Sequence, residues 1–128
     1  MAESTNPPPC CGGKKVLLYA CSGAANVAEA ADRACRKLTR DGDGSMFCLA
    51  GLGAGIEGMV KAAKAADCNV VIDGCDMDCG KHIFDEQGVK NYVQIRVTDL
   101  DIDKAGRAAT EEEVAVVVRR VREKLAKT

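Results

Sequence analysis

Short apolar runs alternate with helical patterns along most of this chain, and that alternation constrains the fold more than any other feature. The run Val16–Ala20 is apolar on both faces, and residues 70–72 repeat the pattern later in the chain. Such runs are typical of strands buried in a parallel sheet. Each is followed by a stretch in which apolar residues recur every three or four positions. Because parallel neighbours are joined by crossover helices, this order predicts an α/β fold.

Four segments are predicted as strands. They span residues 16–20, 46–49, 69–72 and 91–97. The last segment alternates apolar and polar residues, for example Val93, Gln94 and Ile95, which is typical of a half-exposed strand at a sheet edge. We therefore expect a mostly parallel four-stranded sheet, and we expect the strand order 2-1-3-4.

Helices are predicted between these strands and after the last one. Apolar stripes at helical spacing run through residues 27–38, 56–63 and 114–125, and a short helix is expected over residues 79–87. Asn26 with Glu29, and Thr110 with Glu113, are expected to cap two of the helices. The predicted fold class is thus an α/β three-layer sandwich with helices on both faces of the sheet.

Length and charge restrict the classes of protein that fit. A chain of 128 residues has room for one domain, predicted at residues 14–128, after a polar, proline-rich tail at residues 1–13 that we expect to be flexible. The net charge of −1 argues against binding nucleic acid. No apolar run approaches the roughly 18 residues of a membrane span, and the tail lacks the pattern of a signal peptide. We expect a cytoplasmic location and no contact with membranes.

Eight cysteines are the feature that points to chemistry. In a cytosolic chain long enough to build its own core, they indicate metal or thiol chemistry rather than a disulfide framework. Four of them lie where the predicted strands end, namely Cys21, Cys48, Cys75 and Cys79. The carboxyl ends of parallel strands meet at one edge of a sheet, so these thiols should share that edge. Four thiolates about 2.3 Å from one ion form a tetrahedral zinc site.

The other four cysteines have different expected positions. Cys35 belongs to the apolar stripe of the first helix and is predicted to pack in the core. Cys68 precedes the third strand, about 17 Å from Cys75, and should lie at the opposite edge of the sheet. Cys10 and Cys11 are neighbours in the tail, where a role in catching a metal or a partner thiol stays open.

Three segments around the strand-end cysteines resemble the DGC domain family, which is named after its central Asp-Gly-Cys. They are residues 19–24, residues 46–51, and residues 72–75 with Cys79 four positions later. The resemblance covers about residues 14–100. It implies a zinc-binding protein in which four cysteines chelate the metal, matching Cys21, Cys48, Cys75 and Cys79. It does not imply a reaction.

Two further motifs have less specific interpretations. Residues 53–58 match the G-x-G-x-x-G pattern of dinucleotide-binding loops, between a predicted strand and a predicted helix. Because Cys48 already occupies that turn, we interpret the glycines as residues of a tight turn. His82 is the sole histidine of the chain and is interpreted as a solvated residue of the short helix.

The leading hypothesis is a cytoplasmic Zn²⁺-binding protein that senses metals or thiols. A closed shell of four thiolates has no open position for water, which argues against hydrolysis and favours a structural, sensing or carrying role over an enzyme. Two alternatives stay open. One is a thiol-dependent enzyme or reductase with Cys75 or Cys79 as the nucleophile, and the other is an iron–sulfur protein. The sequence names no protein partner.

Overall fold

The architecture is a four-stranded, all-parallel sheet with helices on both faces, as a computed structural model describes it for residues 14–127. The strands are β1 (Val16–Ala20), β2 (Ser45–Met46), β3 (Cys68–Asp73) and β4 (Tyr92–Arg96). Their order across the sheet is β2-β1-β3-β4. The predicted fold class and strand order are therefore confirmed, and β4 does lie at an edge. The predicted tail at residues 1–13 lies outside the described residues.

Five helices accompany these strands within the described part of the chain. They are α1 (Asn26–Arg40), α2 (Leu49–Gly53), α3 (Glu57–Ala65), α4 (Cys79–Glu86) and α5 (Glu111–Ala126), with a 3₁₀ turn at Val97–Leu100. The predicted cap of α5 is confirmed, because the Thr110 hydroxyl accepts the Glu113 N–H at 3.1 Å while the Glu113 carboxylate accepts the Thr110 N–H at 3.0 Å. The predicted cap of α1 is wrong. Ala25 occupies that position, and the Asn26 side chain is buried and bonded elsewhere.

The second predicted strand is the largest departure from the sequence-based assignment. Residues 46–49 were expected to extend, but β2 ends at Met46 and Leu49 opens α2. The Phe47 N–H still donates to the Leu18 carbonyl at 2.8 Å, after which Cys48 leaves the sheet and caps α2. Short apolar runs fit a strand or a buried helical turn equally well, so their periodicity could not separate the two.

The sheet divides the hydrophobic core into two parts of different composition. The face under α1 and α5 is aliphatic and includes Leu18, Val70 and Val117. The opposite face is centred on Tyr19 and Phe84, whose rings meet edge to face with centroids 4.8 Å apart. Burying each large apolar side chain contributes about 1.5–3 kcal/mol. Both faces therefore supply stability that depends on no bound ion.

Candidate metal centre

Three successive strand-to-helix turns bring the four predicted ligands to one edge of the sheet. Cys21 follows β1 directly, Cys48 and Cys75 each lie two residues after a strand, and Cys79 is the first residue of α4. The register ties two of these turns together, because Ala20 pairs with Ile72 and the Cys21 N–H donates to the Ile72 carbonyl at 3.2 Å. The carboxyl ends of parallel strands are where α/β folds place their functional crevices.

An open cleft of about 560 Å³ lies between these turns, and three of the four cysteines line it. These are Cys21, Cys48 and Cys79. Asp32 and Arg36 of α1 form part of its wall and pair with each other at 2.8 Å. Cys75 has a different neighbour, since its Sγ lies 3.6 Å from the Nζ of Lys104.

Three of the four sulfur atoms accept a hydrogen bond. The Gly74 N–H donates to Cys21 Sγ at 3.2 Å, and the Gly51 N–H donates to Cys48 Sγ at 3.3 Å. The third donor is the Lys104 ammonium, which contacts Cys75. For Cys21, the backbone donor favours the thiolate, which is the form that binds metals. Burial raises the pKa of the Cys21 thiol above its ordinary value, and the Gly74 N–H offsets part of that effect.

The donor chemistry fits zinc, whereas the side chains as they stand do not form a closed shell. Four cysteine sulfurs on neighbouring turns are the donor set of a structural zinc site. However, within residues 14–127 no three His, Cys, Asp or Glu side chains converge closely enough to hold an ion. Cys75 does not belong to the cleft lining that the other three share, and its Sγ contacts the Lys104 ammonium.

Asp73 fixes the start of α4 and thereby the position of Cys79. Its carboxylate is 1% exposed and accepts the N–H groups of Gly80 at 2.7 Å and Lys81 at 3.1 Å. The side-chain amide of Gln94 on β4 adds a third bond at 2.9 Å. A negative charge at a helix N-terminus satisfies free N–H groups and complements the helix dipole. Sequence reasoning missed this role, although an acid after an apolar strand and before a helix start is a usable signal.

Gly74 allows α1 to approach the end of β3. A Cβ at this position would lie 2.9 Å from the backbone nitrogen of Ala28 and 3.0 Å from the carbonyl carbon of Val27. These neighbours are backbone atoms, so a larger residue would push the helix away. The same close approach accompanies the bond from Gly74 to Cys21. The triplet of residues 73–75 therefore provides a helix cap, a close backbone contact and a thiol in succession.

A comparison with known families supports the resemblance that the sequence motifs predicted. The DGC domain model matches residues 17–121. The chain belongs to the DGC domain family. It is also 37% identical over 65 residues to the anaerobic and virulence modulator AnvM of Pseudomonas aeruginosa. That match spans about half of this chain and half of the relative, at 51% and 50% of their lengths. No solved structure matches the chain significantly.

An ion pair stabilises the turn of this DGC domain that joins Cys75 to Cys79. Arg96 on β4 donates from two nitrogens to the Asp78 carboxylate, at 2.9 and 2.7 Å. Asp78 has a left-handed backbone with φ of 53°, which is uncommon for a residue other than glycine. The Arg96 guanidinium also holds the pKa of Asp78 below its ordinary value. The ion pair thus connects this turn to β4.

The remaining cysteines lie where the sequence predicted, as far as the structure describes them. Cys35 is fully buried among the aliphatic residues, and burial raises the pKa of its thiol. Cys68 begins β3 at the opposite edge of the sheet and is 5% exposed. Cys10 and Cys11 lie outside the described residues. The candidate ligands are therefore the cysteines that follow strands, whereas Cys35 and Cys68 pack in the core.

The two further sequence motifs can be compared with the structure. His82 is exposed on α4, as predicted. Lys81, a neighbour of Cys79 in sequence, pairs with Asp85 at 3.0 Å. The expected strand-to-helix position of the glycine motif is wrong, because Gly53 ends α2 and the motif joins two helices. Among the described residues, no helix has the length and apolar character needed to cross a membrane.

Proposed function

We propose that this DGC domain binds one zinc ion through Cys21, Cys48, Cys75 and Cys79, and that it senses metals or thiols. The observation that carries the proposal is the position of four thiols on three adjacent turns at one sheet edge. Zinc would add a redox-inert centre that links these turns. A four-thiolate shell leaves no position for a reacting water, so hydrolysis is the less suitable role.

Sensing suits the site better than a purely structural role. A domain that unfolds without zinc lacks another core, whereas this chain has apolar clusters on both faces of its sheet. The ligands are also accessible, because Cys48 and Cys79 are exposed. A small thiol-reactive or metal-exchanging molecule can therefore reach the sulfurs while the fold persists. The relative AnvM is named as a modulator, which favours a regulatory role over a catalytic one.

The deciding experiment is metal analysis of protein purified without chelators, together with a visible spectrum. We expect about one zinc per chain and no visible absorption. A matched variant with both Cys21→Ser and Cys75→Ser should lose the metal. Less than about 0.1 zinc per chain, with no iron, would overturn the proposal. Strong visible absorption with bound iron would instead identify an iron–sulfur protein, because four thiolates also hold a cluster.

A thiol-dependent enzyme is the second candidate, and the cleft is the observation that favours it. The cleft of about 560 Å³ has the size of a small-molecule site and is lined by the exposed Cys79. For this candidate, metal-free protein supplied with an excess of a small thiol as reductant should catalyse the reduction of a small aromatic disulfide: the protein thiolate displaces one aromatic thiol, and the small thiol then resolves the mixed disulfide. The activity should disappear in Cys79→Ser and persist in Cys35→Ser, since Cys35 is fully buried. Absence of turnover would leave metal binding as the function to pursue.

A further inference from the structure

Lys104 is the cation in contact with the thiol site, and it comes from a distant part of the chain. Its Nζ lies 3.6 Å from the Sγ of Cys75, across a sequence separation of 29 residues. Lys104 belongs to the connection between the 3₁₀ turn and α5, which has no helix or strand of its own over residues 102–110. Such a segment needs other contacts to hold one side chain in place.

Those contacts come from Asn26, whose side chain is fully buried at the start of α1. Its amide nitrogen donates to the Asp103 carbonyl at 3.0 Å, and its amide oxygen accepts the Ala105 N–H at 2.6 Å. The Asn26 backbone N–H also donates to the Ala105 carbonyl at 3.0 Å. Both chain neighbours of Lys104 are therefore fixed to α1. A buried amide bonded to backbone on both sides of one residue fixes where that residue's side chain begins.

The charges around the site give this lysine a role. A zinc ion bound by four thiolates would carry a net negative charge, and the buried Asp73 lies two residues before Cys75 in the same turn. Arg36 and Lys81 are paired with Asp32 and Asp85. Within residues 14–127, Lys104 is the side chain that brings a positive charge to one of the four sulfurs.

We propose that Lys104 is a positioning residue of the metal site, oriented by Asn26, and that its ammonium group, through its contact with Cys75, offsets part of the negative charge of a zinc ion bound by four thiolates. The inference rests on the proposed zinc function and adds an outer-shell residue to it. Outer-shell partners change metal affinity by about 10–100-fold. Since Lys104 is exposed, we expect the lower end of that range.

The test compares zinc affinities, measured by competition with a chromophoric chelator, for wild-type protein and three variants. Lys104→Met should weaken binding about tenfold, whereas Lys104→Arg should stay within about threefold of wild type because it keeps the charge. Lys64→Met is the matched control, since Lys64 is exposed in the last turn of α3 and should leave the affinity unchanged. The deficit of Lys104→Met should shrink as salt increases, because salt screens exposed charges.

The outcomes separate the inference from the function on which it rests. Wild-type protein that binds no zinc would overturn the proposed function together with this inference. Zinc binding that is equal in wild type and Lys104→Met would overturn the inference alone. A loss that Lys104→Arg does not restore, or that salt leaves unchanged, would likewise overturn it. Thermal unfolding of the metal-free variants should match wild type, because Lys104 contributes an exposed contact.

Discussion

The two ends of β3 each carry a cysteine, and the two thiols have opposite surroundings. Cys68 begins the strand, is 5% exposed, and has a pKa raised by burial. Cys75 lies two residues beyond the other end, is half-buried, and contacts the Lys104 ammonium. The strand separates a packing residue from a candidate ligand although the residue type is the same. Whether a cysteine lies before a parallel strand or after it thus decides whether it is a candidate ligand in this fold.

The largest expected effect is the difference between replacing these two cysteines. Cys75→Ser should weaken zinc binding by more than about 100-fold, because losing a ligand costs more than losing an outer-shell partner. Cys68→Ser should leave the zinc affinity unchanged, since its thiol lies at the other edge. A competitive zinc titration measures both. Equal losses in the two variants would contradict the assignment of the ends of β3.

Removing zinc should increase the difference in thiol reactivity between the candidate ligands and the core cysteines. After chelation under reducing conditions, Cys48 and Cys79 should react with a thiol reagent roughly tenfold or more faster than Cys35 and Cys68, because the latter react only after local opening. Far-ultraviolet circular dichroism should keep most of its helical signal, since both cores persist. Loss of that signal would make the metal structural, and slow labelling of all four edge thiols would argue against their role as ligands.

A glycine at the edge of the sheet that carries the candidate ligands should tolerate substitution less well than a glycine on an open helix. Gly74→Ala should lower the free energy of unfolding by about 1–3 kcal/mol, because its Cβ would meet the α1 backbone at 2.9 Å. Gly58→Ala is the matched control. A Cβ there meets nothing within 4 Å, so the variant should gain up to about 1 kcal/mol from better helix propensity. Urea unfolding measures both, and a neutral Gly74→Ala would refute the close contact.

The smallest expected effect concerns acid. Arg107 and the Thr110 N–H lower the pKa of Glu113 to about 2, below its ordinary value near 4.5. The charged carboxylate therefore stabilises the fold fully above pH 4.5, and this contribution is lost as the pH falls towards 2. Glu113→Gln should reduce the urea midpoint at pH 7 by a few tenths of a molar at most, and the deficit should vanish near pH 2. A deficit that is independent of pH would show that the charge contributes nothing.

The fold could be predicted from the sequence because its signals are repeated. Apolar runs followed by helical stripes recur along the chain, and a mostly parallel sheet follows from them. The observed order β2-β1-β3-β4 matches the expected one, although the alternation alone does not determine it. The short β2 and the extra helix α2 could not be predicted. Residues 46–49 have the apolar content of a strand, and only tertiary contacts decide that Leu49 turns into the second core.

For the candidate site, the sequence predicted which edge of the sheet carries the cysteines, but not which groups their side chains contact. Strand ends place Cys21 and Cys75 at one edge, yet the orientation of Cys75 towards Lys104 depends on a contact 29 residues away. Asn26 illustrates the same limit. Its place before an apolar stripe is typical of a helix cap, yet its side-chain partners are backbone groups of residues 103 and 105 and the Glu113 carboxylate. Local patterns carry no information about such distant bonds.

The all-parallel pairing has a consequence for the chain as it is synthesised. Leu17 of β1 pairs with Asn69 of β3, so more than fifty residues must emerge before these strands can meet. Closing such long segments costs chain entropy before the new contacts repay it, which makes sheets of this kind slow to assemble. Six of the eight cysteines, up to and including Cys68, are therefore synthesised before β1 and β3 can join. In the newly made chain, Cys21 and Cys48 are thus present before Cys75 and Cys79 can join them at one edge of the sheet.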